Sequence, residues 1–467
     1  MRTSRTIFQP AAMVGAATTR RSVLARGAAG LSTITLAACG RLGGAEPSKP
    51  AASRGPVTIE VLTRPGVASP TGHSQFYDRQ AKTIFTPQTN ITVTLVDAQP
   101  NVGEKLTVLA AGGTLPDMSW FGVLADGVAG REQASKGIFK PLDDLIKKDQ
   151  RFDLRPYFKS MLDAFTVAGK LYALPTHAHY GTAVLYYNKS MTKAAGITVP
   201  DDGNWTQDEL IVAAQKLTRR ADDVWGWWPS WGFSEFGAFW VRQHGGEFLD
   251  EAGKRVLIDS AEARAGFEFV YNAQAKFQVI DDLFRQVQGA PLNLGGARGL
   301  FAMGKLAMHH TTPGLVAEYK KPGQEEIKFE LGIGLMPKGP GGRRGTQASG
   351  SGMGITKLDK VEACWEYLKF ITNKENGIEQ VFGGAGSPGG RTDVWQDPKL
   401  LAFDPIYSNT IKAYPQGAGS LRLPANHRYT ELISTVNAEL TKYFRGETSV
   451  ADATAKAVQL GNQILSQ

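Results

Sequence analysis

The side chains of this 467-residue chain best suited to recognition are aromatic and planar-polar rather than nucleophilic. Trp225-Gly226-Trp227-Trp228-Pro229-Ser230-Trp231-Gly232-Phe233 is its densest aromatic run, and Glu235 follows two residues later. Rings stack on flat apolar faces at low entropy cost. A nearby carboxylate accepts hydroxyl protons, which matters because an unpaired polar group in a shielded cleft costs about 1–3 kcal/mol. Together these groups are equipped to grip a polyhydroxylated molecule. The competing assignment is a core aromatic patch. Trp227 fits the core. Trp231, flanked by Ser230 and Gly232, is the candidate for stacking, with Glu235 as acceptor and Trp120, at a strand end, as the next ring.

Bond-making chemistry finds little support. No Gly-x-Ser-x-Gly nucleophile elbow occurs. His177-x-His179 and His309-His310 are the only histidine pairs, and neither has a cysteine or carboxylate at ligand spacing, so no metal and no cofactor is expected. Asp143-Asp144, Asp201-Asp202 and Asp281-Asp282 read as caps and solvated turns rather than a glycosidase pair. Lys338–Gly345 is rich in Gly and Arg but lacks the strand–helix context of a dinucleotide loop. The expectation is a protein that is not an enzyme.

Size and composition bound the rest. At 42% hydrophobic and 21% charged, the chain has the make-up of a globular protein. Its length exceeds what one hydrophobic core supports, so two domains are expected. Five arginines (Arg2, Arg5, Arg20, Arg21, Arg26) and no acid fall within residues 1–38, so most of the net charge of +8 is local. What remains is too small to argue for nucleic acid, and no basic–aromatic stripe occurs. The two cysteines are Cys39 and Cys364; Cys364 lies in a helical pattern and is expected to be a buried free thiol.

Residues 1–39 read as an export signal rather than as fold. Arg20-Arg21 precede a mild run, Ser22–Ala38, too short and too weakly apolar for a membrane span. Leu36-Ala37-Ala38-Cys39-Gly40 resembles a lipobox, which would place a thioether lipid on Cys39. Arg20-Arg21-Ser22-Val23-Leu24 resembles a twin-arginine motif without its usual Phe. A general secretory signal with a chance arginine pair is the alternative. Residues 40–56 are rich in Gly, Pro, Ala and Ser and read as a flexible tether.

Elements that would position the aromatic groups follow. Val57–Thr63 and Ile91–Val96 have the β-branched alternation of strands. Arg64-Pro65-Gly66 breaks the first and opens a polar loop reaching His73; loops at strand carboxyl ends line the cleft of two-lobed α/β binders. Thr206 with Glu209 predicts a capping box opening a helix. Lys360–Thr372, Tyr429–Phe444 and Val450–Leu465 predict helices. Gly169–Lys189 predicts an apolar run ended by Pro175, a polar crossing at Thr176–Tyr180, and a second strand at Ala183–Tyr187. This pattern fits a passage between lobes, or an ordinary strand–loop–strand within one domain.

Several of these segments carry a family likeness. Gly113-Thr114-Leu115-Pro116-Asp117, Gly169-Lys170-Leu171-Tyr172-Ala173-Leu174-Pro175, Leu185-Tyr186-Tyr187-Asn188-Lys189, Phe301-Ala302-Met303-Gly304-Lys305-Leu306-Ala307-Met308 and Glu362-Ala363-Cys364-Trp365-Glu366-Tyr367-Leu368-Lys369-Phe370 occur in the order found in one family. The chain from about residue 57 onward resembles the bacterial extracellular solute-binding proteins, which include maltose-binding protein. That resemblance implies an α/β, two-lobed periplasmic-binding-protein-like fold with an interlobe ligand cleft and hinge crossovers. One lobe would comprise residues 57–176 plus 352–385, the other 177–351 plus 386–467. It implies capture of a carbohydrate and delivery to the permease subunits of an ATP-binding-cassette (ABC) importer, by a monomer held at the membrane through its lipid. His179 and Tyr180 fall where the family's crossover often contributes ligand contacts, and Arg64, Ser351, Arg391 and Tyr429 lie in segments of the same kind. One departure stands out: many sugar binders follow the Gly-Lys-x-Ala-Met segment with Gly-Pro-Trp. Here His309-His310-Thr311-Thr312-Pro313-Gly314-Leu315 has no such Trp, which argues against a maltodextrin-like ligand. A phosphorylated polyol or other anionic solute, anchored by Arg64 and Arg391, is the alternative ligand class. A secreted carbohydrate-active enzyme is the alternative function.

Overall fold

The computed structural model describes residues 55–64, 72–99, 102–122, 130–179, 184–230, 236–289, 296–320, 327–346, 349–414 and 422–467. The first sheet grows from β1 (Val57–Thr63), whose exposed start gives way to a fully buried end, Val61-Leu62-Thr63. Such a change is expected of a central strand covered on both faces. β2 (Ile91–Asp97) lies parallel to β1 on one side, from Val57↔Ile91 to Thr63↔Asp97. β3 (Met118–Gly122) lies parallel on the other. A small hairpin, β4 (Thr166–Val167) with β5 (Lys170–Leu171), leads into β6 (Leu174–His179).

The second sheet contains β7 (Val184–Asn188), β8 (Trp225–Trp228), β9 (Leu306–Thr311) and β10 (Leu331–Leu335), in the order β10-β7-β9-β8. From β10 the chain returns to the first sheet as β11 (Ser349–Ile355), completing the order β2-β1-β3-β11-β6. β11 runs antiparallel to both β3 and β6. The chain thus changes sheets between β6 and β7 and again between β10 and β11.

The passage out of the first sheet differs from the sequence expectation. Pro175 does not end a strand, and the polar residues Thr176–His179 continue β6. Two features permit this. β6 is the edge strand, and its pairing with β11 shifts register between Ser351 and Gly352. Edge positions and bulges tolerate a residue without an N–H. The Thr176 hydroxyl donates to the Ser351 carbonyl at 3.0 Å. Gly350, at φ +146°, brings its backbone so close to His177 that a Cβ would lie 2.5 Å from that carbonyl. A side chain at position 350 would therefore disturb the pairing.

Helices cover both sheets. Val361–Ile371 buries Cys364, Trp365, Tyr367, Leu368 and Ile371 and packs against β1 and β11. Cys364 is the expected buried free thiol, and burial raises it to about 12, leaving it protonated and inert. Gln207–Leu217 packs against β8 and β9. It opens with the predicted reciprocal cap: Glu209 N–H donates to Thr206 Oγ1 at 3.2 Å, and Thr206 N–H donates to Glu209 Oε2 at 2.7 Å. Tyr429–Phe444 pairs with Val450–Leu465, which packs on Ala261–Ala275. Among the described residues no helix is long and apolar enough to cross a membrane.

Candidate functional site

β1, β3 and β6, with the helix that follows β1, bring together side chains that are far apart in sequence. Thr63 closes β1 and Arg64 follows it; His73 opens the helix His73–Gln80; Trp120 lies in β3; His177 lies in β6. The His73 and His177 rings are 4.3 Å apart between centroids. Trp120 is 5.9 Å from His73, 5.6 Å from His177 and 6.3 Å from Tyr77. Arg64 holds its guanidinium carbon 5.8 Å from the centre of the Trp120 ring, within cation–π range.

Hydrogen bonds hold this cluster from beneath. The Thr63 and Ser74 hydroxyls are 2.8 Å apart, and Ser74 donates to the Arg64 carbonyl at 2.8 Å. These two bonds tie the end of β1 to the helix carrying His73. Tyr77 donates to Gln380 Oε1 at 3.2 Å, while Gln380 Nε2 donates to the Thr176 carbonyl at 2.8 Å. Thr176 in turn reaches β11 through Ser351. Burial pushes the Tyr77 hydroxyl well above its ordinary value, so it stays a neutral donor. A polar network whose members are each partnered rigidifies the groups it supports.

The second sheet supplies a different environment. β9 and β10 both end beside the start of β7, at Val184↔Thr311 and Val184↔Leu335. Two bonds anchor this end: Tyr186 donates to the Thr312 carbonyl at 2.9 Å, and Trp240 Nε1 donates to the Ser230 carbonyl at 2.8 Å. Below them, Trp227 is fully buried against Trp240 and Phe269, as its core assignment anticipates. His309 and His310 are also buried; burial lowers both to about 3, with further lowering of His309 by His310 and Arg298. They remain neutral at ordinary pH. Among the described residues no group of three His, Cys, Asp or Glu is placed to hold a metal ion.

The candidates named from the sequence separate into three groups. Arg64 and Trp120 come together, with Ser351 buried in the strand that pairs with His177. Tyr180, Trp231 and Glu235 lie outside the described residues, as does the side chain of His179. Arg391 and Tyr429 are not joined to the cluster by the described contacts. Arg391 donates to both oxygens of Asp393, at 2.9 and 2.7 Å, and lies over Tyr157 at 5.1 Å. It lines a separate cavity of about 320 Å³ with Arg151, Lys369 and Asn373. Tyr429 begins the helix that pairs with Val450–Leu465. Sequence reasoning passed over His73, Tyr77 and Gln380. For His73 a signal existed, since it ends the polar loop that follows the first strand. For Gln380 none did: it is 204 residues from the carbonyl it holds.

Comparison with known proteins places this geometry. A family model described as bacterial extracellular solute-binding protein matches residues 70–378. A Brucella abortus protein named as a binding protein is 28% identical over 278 residues, covering 58% of this chain and 62% of that protein's length, which is under two thirds. An arabinooligosaccharide-binding protein of Bacillus subtilis is 26% identical over 343 residues, covering 70% of this chain and 73% of its own. An ABC substrate-binding protein of Listeria monocytogenes, solved with cycloalternan, superposes with a TM-score of 0.72 at 21% identity, covering 88% of this chain and 99% of that one. That likeness shows a two-lobed α/β fold.

Proposed function

The chain belongs to the bacterial extracellular solute-binding proteins, and from that premise we propose that it captures a carbohydrate or polyol between its two lobes and hands it to an ABC permease. The observation that carries this reading is the convergence of Arg64, His73, Trp120 and His177 from β1, the helix after it, β3 and β6. Such a cluster gathers imidazole, guanidinium and indole groups able to hydrogen-bond a hydrated solute. Trp231 and Glu235 would meet the ligand from the segment that follows β8, Tyr180 from the segment that follows β6, His179 from the last position of β6, and Ser351 from β11. The Bacillus relative's name, arabinooligosaccharide-binding protein, favours a sugar within this class.

The anionic-solute alternative needs Arg64 and Arg391 to act together. The Arg391 guanidinium is already neutralised by Asp393, and this favours an uncharged ligand. In the same reading the bodies built on the two sheets are the lobes that close by hinge motion; β6 as far as His179 and β11 from Ser349 belong to the first sheet, so the boundaries expected at 176/177 and 351/352 move out of those strands, toward the second sheet. Cys39 carries the lipid, residues 40–56 tether the receptor, Arg20-Arg21 direct its export, and it works as a monomer outside the cytoplasm. Cys39→Ala should then release the receptor from the membrane fraction; retention there would remove the anchor from the account.

The test of function is a thermal-shift screen over sugars, polyols and their phosphates, followed by calorimetry and product analysis. A ligand at a hundred times its Kd stabilises by about 2.7 kcal/mol. One-to-one binding with the solute recovered unchanged is expected. Turnover of a glycoside would favour the enzyme reading, and preference for phosphates would favour the anionic one.

A further inference from the structure

Trp120 has a polar atom that the protein leaves unused. The side chain is fully buried, yet among the described residues its indole Nε1 meets no acceptor. Other tryptophans satisfy theirs. Trp225 donates to Asp223 at 3.0 Å, Trp365 to Asp149 at 3.1 Å and Trp395 to the Gly389 carbonyl at 3.0 Å. A buried donor without a partner costs about 1–3 kcal/mol, so a retained one calls for an explanation. Trp205 and Trp227 also lack one, but neither belongs to the Trp120 cluster, and Trp227 is enclosed by core rings.

The surroundings of Trp120 define what the partner must be. Its ring is ringed by protein, with His73, His177, Tyr77 and the Arg64 guanidinium around it, so no face is left for a sugar to stack upon. Indole N–H is a donor only, and guanidinium is a donor only. A group entering between them must bring lone pairs. Resting on the carbohydrate reading above, we propose that Trp120 serves as a hydrogen-bond donor through its Nε1, selecting an acceptor oxygen of the solute, rather than as a stacking surface. Because the atom is closed to solvent in this conformation, the oxygen reaches it only when neighbouring side chains part. Binding at this point is therefore coupled to rearrangement of the cluster.

The test uses ¹⁵N-indole spectra of the mature chain, with Trp120→Phe assigning the Trp120 signal. Arabino-oligosaccharides, ribitol and mannitol are the probes. A probe that binds should move the Trp120 indole proton downfield, and Trp120→Phe, which keeps a ring but removes the donor, should weaken that probe roughly tenfold. A probe that binds while the Trp120 signal stays in place overturns the donor role and leaves the carbohydrate reading standing. The same holds if a folded Trp120→Phe variant binds as tightly as the parent. If no probe binds, the carbohydrate reading fails and the donor role with it.

Discussion

Beside each sheet two histidines lie among aromatic rings, and the two pairs sit in opposite settings. In the first sheet His73 and His177 come from a helix start and an edge strand and meet at strand ends, beside Trp120 and Arg64. In the second, His309 and His310 are consecutive residues of the interior strand β9. Alternation sends them to opposite faces: His309 packs against Tyr186, Phe301 and Tyr319, and His310 against Trp227, Phe239 and Trp240. One pair belongs to the proposed ligand site, the other to a core that tolerates imidazole only when neutral. Residue type is shared, so position in the sheet decides the role.

Acid should break this symmetry most strongly. His309 and His310 titrate at about 3 when folded, against about 6.5 when unfolded. Between those values the unfolded chain binds more protons, so stability is complete above about pH 6.5 and falls as pH falls toward 3. By pH 4.5 the loss should be about 5 kcal/mol for the two together. Urea titrations across that window measure it, and His310→Phe should remove about half of the slope. An unchanged slope would mean that His310 does not govern acid lability.

Next in size is the contrast between two tryptophans of one run. Trp227→Ala should cost about 3–5 kcal/mol by opening a cavity in the second core, read as a lower denaturation midpoint. Trp231→Ala should leave that midpoint nearly unchanged while weakening ligand binding more than about tenfold, or about 1.4 kcal/mol. Equal stability losses in both variants would place Trp231 in the core as well. The smallest effect is expected from Arg391→Ala. Its cation pairs with Asp393 away from the Trp120 cluster, so affinity should stay within roughly twofold. A large loss by calorimetry would return Arg391 to the ligand and revive the anionic-solute alternative.

Much of the fold was legible because it is local. Val57–Thr63, Tyr429–Phe444 and Val450–Leu465 form as their periodicity predicts, and Thr206 with Glu209 forms the cap that its spacing requires. Pro175 was misleading because its local preference is to end a strand, whereas an edge position and a bulge against β11 accommodate it. The candidate site was legible only in part. Arg64 follows a strand end that can be located from sequence, whereas Trp120, expected at a strand end, is the central residue of β3, and the contact between them requires β1 and β3 to lie side by side.

The order of residues alone carried the family resemblance, the local elements, the core status of Trp227 and Cys364, and the absence of a nucleophile elbow. Each depends on composition or on neighbours within a few positions, where backbone preference and side-chain periodicity act directly. Folding in three dimensions decided which rings meet. His73, Trp120 and His177 are separated by long stretches of chain, and Gln380 supports them from farther still. Strand pairing and the burial it brings set those distances, and with them whether an imidazole, an indole N–H or a guanidinium faces a ligand, a core or a neighbouring carboxylate.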